Sequence, residues 1–173
     1  YVTAFVSYGR RQVAEGDDVA LELHRALGAK RLISETLLGL TDVYIAQGGY
    51  TTAQRLAEES LTLYRESGAK VGIAWILSSL GVIALATNDL TKAQAYFSEA
   101  FSLYQEMGDE FGITWMKLLQ AMIDALRGNR ADANQLSMEG FTAIREAGES
   151  IDIAGALCNT GFIALQQQEY AKA

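Results

Sequence analysis

The sequence predicts an all-α fold built from stacked antiparallel helix hairpins, and three observations predict it. Glycines recur at positions 28, 68, 108 and 148, forty residues apart with no insertion between them. The stretch Gly68 to Leu90, GAKVGIAWILSSLGVIALATNDL, returns as Gly108 to Arg130, GDEFGITWMKLLQAMIDALRGNR, and the same frame fits from Gly28 and from Gly148. Proline is absent, so nothing forbids helix inside any unit.

The frame divides the chain into a partial unit at 1–28, full units at 29–68, 69–108 and 109–148, and a partial unit at 149–173, all one array. Tyr1 to Tyr8 reads as the tail of a helix, and Gly9-Arg10 keeps the register of the later turns. A second helix follows over Gln12 to Leu27, with Val13, Ala20, Leu21, Leu23 and Leu27 as its apolar positions. Gly16 within it predicts fraying or a kink, because an interior glycine costs about 1 kcal/mol relative to alanine.

Gly28 ends that helix, and a left-handed residue after a helix is cheapest as glycine. Helices are then predicted over Lys30 to Gln47 and Thr51 to Ser67, joined at Gly48-Gly49. Leu37, Leu40, Tyr44, Ala53, Ala57, Leu61 and Tyr64 recur at three-, four- and seven-residue spacing, the apolar stripe of helices that face a neighbour. The next unit repeats the stripe with Leu77, Leu80, Gly81, Ala84, Ala93, Phe97, Ala100, Phe101 and Tyr104. Each helix of about 16 residues is roughly 24 Å long.

Composition narrows the function classes. A formal charge of −7 opposes nucleic acid as a direct ligand, since neutralising phosphates needs clustered Lys and Arg. The single cysteine, Cys158, leaves no internal disulfide and suits the cytoplasm. No apolar run approaches the ~18 residues that a membrane span needs. The one histidine, His24, stands where Tyr64 and Tyr104 recur, which reads as packing. No phosphate-binding glycine loop, paired-cysteine zinc spacing or His-Glu-x-x-His motif occurs, so no cofactor, metal or catalysis is expected. Both ends fall inside expected helices, which predicts a piece excised from a longer chain.

The hairpin carrying Leu77, Leu80-Gly81 and Ala84 on its first helix, then Ala93, Phe97 and Ala100 on its second, resembles the tetratricopeptide repeat. Gly108-Asp109-Glu110-Phe111-Gly112-Ile113 and Ala46-Gln47-Gly48-Gly49-Tyr50-Thr51-Thr52-Ala53 are similar to phrases of a subclass with a forty-residue period. The resemblance covers essentially the whole chain and implies a right-handed superhelix, an α-solenoid. It also implies a parent among large bacterial signalling proteins, such as LuxR-type regulators with a nucleotide-binding domain.

The resemblance further implies which first-helix residues face the concave surface. In one unit these are Trp75, Ser78, Ser79, Val82, Leu85 and Ala86. The next contributes Trp115, Leu118, Leu119, Met122, Ala125 and Leu126, and the last contributes Gly155, Cys158, Asn159, Phe162, Leu165 and Gln166. Glu35, Leu38, Gly39, Asp42, Ile45 and Ala46 open the surface in the first full unit. An apolar groove with two tryptophans results, unless curvature or neighbouring units bury it. Family members that clamp peptide backbones repeat an Asn that only Asn159 matches here, which favours apolar capture of a helix or small molecule.

One unit breaks the pattern. Lys117, Gln120 and Asp124 stand where Leu77, Leu80 and Ala84 face the partner helix. Either the helix rotates so that Met116, Leu119 and Ile123 fill the seam, or a buried polar stripe must find partners. The expected function is protein–protein interaction or effector sensing in a larger bacterial regulator, with a protein, peptide or neighbouring domain as partner. The alternative is a constitutive scaffold or self-association module, including a homodimer through the repeat ends.

Overall fold

A computed structural model of the chain describes residues 19–129, together with 135, 138, 139 and 142, and no strand occurs among them. The chain divides into two compact units, 1–89 and 90–173. The first holds helix α1, described over 19–26, then α2 (Lys30–Ala46), α3 (Tyr50–Ser67) and α4 (Lys70–Ala86). The second holds α5 (Leu90–Met107) and α6 (Glu110–Leu126). The expected ranges Lys30 to Gln47 and Thr51 to Ser67 differ from α2 and α3 by one residue at one end. The expected kink at Gly16 and the stop at Gly148 lie outside the described residues.

Every described turn closes by the same backbone chemistry. After α3 and α5 the left-handed position is Gly68 or Gly108, at φ 68° and 67°. The next N–H then reaches back five residues, from Ala69 to the Tyr64 carbonyl at 3.1 Å and from Asp109 to the Tyr104 carbonyl at 3.0 Å. Such a closure satisfies carbonyls that the helix end leaves without partners. After α4 the left-handed residue is Asn88, at φ 61°, a side chain that tolerates this region better than most. Asp109 adds a cap at the start of α6, its carboxylate accepting from the Gly112 N–H at 3.0 Å.

Within the first unit, Leu21, Ile33, Leu37, Leu40, Val43 and Leu56 form one apolar cluster, with Tyr44 and Leu63 packed against it. Its buried polar atoms are partnered. The Ser60 hydroxyl crosses from α3 to donate to the Ser34 carbonyl at 2.9 Å, and Thr41 donates to the Leu37 carbonyl at 2.7 Å. Arg25 and Lys30 pair with Glu59 and Glu66 of α3 at 2.7 and 2.9 Å, all of them at the surface. Exposed pairs of this kind contribute at most about 1 kcal/mol each, so the apolar cluster dominates.

One close approach recurs in both units. Gly72 sits under the buried ring of Tyr64, and a Cβ added there would lie 2.3 Å from Tyr64 Cε1. Gly112 stands in the same relation to Tyr104, with a Cβ 2.2 Å from Cδ1. These two glycines admit the tyrosines that end the preceding helices.

Candidate partner-binding face

In the first unit, α2 and α4 lie side by side, and the Ser79 hydroxyl donates to Asp42 Oδ1 at 2.9 Å between them. Helical spacing puts Glu35, Leu38 and Asp42 along one side of α2, and Trp75, Ser78, Ser79 and Val82 along one side of α4. None of these seven residues is buried. Trp75 is 50% exposed, and Val71 one turn before it is exposed as well. The arrangement offers an aromatic surface beside carboxylates, with no deep enclosure.

Asp42 is exposed as a residue, yet the helices around its carboxyl strip away water and raise its pKa above the ordinary 3.8. The Ser79 hydrogen bond offsets part of that rise. A raised value means that the folded chain holds this proton more tightly than the unfolded chain does. Stability therefore falls as pH climbs from the ordinary value to the raised one. Asp42→Asn should flatten this slope when urea midpoints are compared across that window. Identical slopes in both chains would show a carboxyl that water reaches freely.

The second unit departs from the expectation. Trp115 and Met122 are half-buried, but Leu118 and Leu119 are buried, as is Ala125. Leu118 and Leu119 are therefore packing residues in this structure, not groove-lining ones. The physical cause is the polar stripe. Lys117, Gln120 and Asp124 resist full desolvation, and α6 buries Leu118 and Leu119 beside Met116 and Ile123, whose α4 counterparts Ile76 and Ile83 are buried too. The stripe is nevertheless half-buried, so neither expectation holds alone. Gln120 exchanges hydrogen bonds with Gln94 at 2.6 and 3.0 Å and donates to Asp124 at 3.2 Å. Arg127 donates to the same Gln94 oxygen at 3.1 Å. The Gln94 contact had no signal in the sequence, since it depends on how α5 and α6 are placed.

Cys158, Asn159 and Phe162 lie outside the described residues. His24 is half-buried, its Nδ1 3.1 Å from Thr36 Oγ1. Among the described residues, no group of three or more His, Cys, Asp or Glu could hold a metal ion, and no helix is long and apolar enough to cross a membrane.

Comparison with known proteins agrees with this geometry. Residues 32–106 match the family model of the tetratricopeptide repeat. The match spans most of α2 to most of α5, less than half of the chain. The chain is also similar in fold to the crystal structure of BtubC (BKLC) from P. vanneervenii, at 16% identity and a TM-score of 0.64. That likeness covers 99% of this chain and 84% of that one, and it shows an all-α helical-repeat fold. No curated protein sequence matches. Tetratricopeptide repeats generally mediate protein interactions, and their all-helical hairpins are typically non-catalytic.

Proposed function

We propose that the chain captures a protein or peptide partner on the α2/α4 face, as the sensing arm of a larger bacterial signalling or transcriptional regulator. The observation that carries this reading is Trp75, a large aromatic left half in solvent beside Val71 and among side chains the core does not use. Exposed tryptophan anchors account for a disproportionate share of interface energy. Partner engagement along first helices would change how successive hairpins stack, and an adjoining domain would read that change.

Peptide display against the full 173-residue chain tests the reading. A selected peptide should lose about tenfold or more in affinity with Trp75→Ala, the size of a modest hot spot. Helical circular dichroism should stay the same, because the residue is not in the core. Unchanged affinity in Trp75→Ala removes the proposal.

A second reading, self-association, draws on a different surface. Val19, Leu23 and Leu27 lie four residues apart along α1 and its end, and all three are exposed. Light scattering over a concentration series separates the readings, since a self-associating scaffold gains mass with concentration and Leu23→Glu should abolish the gain.

A further inference from the structure

The second unit contains a cavity of about 440 Å³ between α5 and α6. Phe97, Phe101 and Met116 supply its apolar wall, and the Gln94–Gln120 amide pair supplies a polar end. Lys117 lines it too. Its side chain is half-buried, and its ammonium makes no ion pair or hydrogen bond among the described residues. Among the described lining residues it is the one charged group, and no carboxylate faces it there.

The repeat itself shows how unusual this is. Forty and eighty residues earlier, the Lys117 position holds Leu77 and Leu37, both 0% exposed. The Gln120 position holds Leu80 and Leu40, also buried. Two core leucines have thus given way to a lysine and a glutamine, at a hairpin whose seam opens into a cavity. A polar substitution at a packing position sacrifices apolar contact, and departures from a fold's own pattern concentrate at functional sites. The volume falls within the range of roughly 300–1,000 Å³ typical of small-molecule sites.

We infer that this cavity binds a small amphiphilic organic acid, its carboxylate held by Lys117 and its apolar body lying on Phe97, Phe101 and Met116. Charge complementarity selects the anion, because an ammonium with no internal partner is the strongest electrostatic feature of the lining. The lysine stem can lie along the apolar wall while its head meets the carboxylate at the mouth. Gln94 Nε2 keeps one N–H beyond its bond to Gln120, a further donor for a polar substituent. This site goes beyond the partner-binding face on α2 and α4 and shares no residue with it.

The test uses the full chain, isotope-labelled, titrated with sodium decanoate well below its micelle concentration, and in parallel with the uncharged decanamide. The expected result is saturable amide shifts concentrated in α5 and α6. Lys117→Gln should weaken decanoate by about tenfold or more, the loss expected for one charge-assisted contact, and leave decanamide unchanged. Lys117→Arg should retain decanoate binding. Ser98→Trp, placed on the exposed rim of the cavity, should block both ligands without entering the core. Trp75→Ala should change neither, which separates failure here from failure of the partner-binding reading. Equal affinity in the wild type and Lys117→Gln overturns the proposal. So do shifts that fail to saturate or spread over every helix, since these would mean detergent-like adsorption, or an interior already filled by the rest of the chain.

Discussion

Gly72→Ala is expected to destabilise the chain by about 1–3 kcal/mol, the usual cost of forcing an extra group into a packed core. The sign is informative. In an ordinary helix interior, alanine is favoured over glycine by about 1 kcal/mol, so propensity alone predicts the opposite result. Here the new Cβ would sit 2.3 Å from Tyr64 Cε1 and 2.4 Å from Cδ1. Carbon atoms pack at about 3.5–4.0 Å, so the ring or the α4 backbone must give way. The ring has little room, being buried between α2, α3 and α4. The expected measurement is a lower urea midpoint with an unchanged slope, which indicates lost stability with no change in exposed surface. Pairing Gly72→Ala with Tyr64→Leu should recover part of the loss, because the two changes share one contact. A Gly72→Ala midpoint at or above that of the wild type would show that the ring moves freely.

Leu37→Ala is expected to cost more, about 2–5 kcal/mol, through lost transfer energy and the cavity left behind. Leu37 is fully buried and belongs to the first unit's apolar cluster with Leu21, Leu40 and Leu56. That is a large fraction of the roughly 5–15 kcal/mol that holds a typical domain together. The informative control is Lys117→Ala, the same repeat position eighty residues later. It should move the midpoint far less, since its half-buried side chain borders an existing cavity. Comparable losses at 37 and 117 would mean that Lys117 is a structural residue and that its cavity is not held open for a ligand.

Helix positions were legible because their determinants are local. The glycines at 28, 68 and 108 occupy left-handed backbone wherever the repeat puts them, and the helices between them start and stop within a residue or so of expectation. The α2 and α4 residues expected on the partner face are absent from the core, since a regular stripe predicts its own back side. Leu118 and Leu119 depart from that rule, because the register of α4 does not carry over to a helix whose seam residues are polar.

By itself the sequence determined the period, the hairpin architecture and the left-handed turns at Gly28, Gly68 and Gly108, all of which depend on neighbours a few residues away. Only the tertiary structure decided which side of α6 turns inward, that Gly72 and Gly112 make room for two tyrosines, and that Lys117 borders a cavity. The physical reason is that burial belongs to pairs of surfaces. A helix carrying both an apolar stripe and a polar one has two plausible inner faces, and the helix packed against it chooses between them.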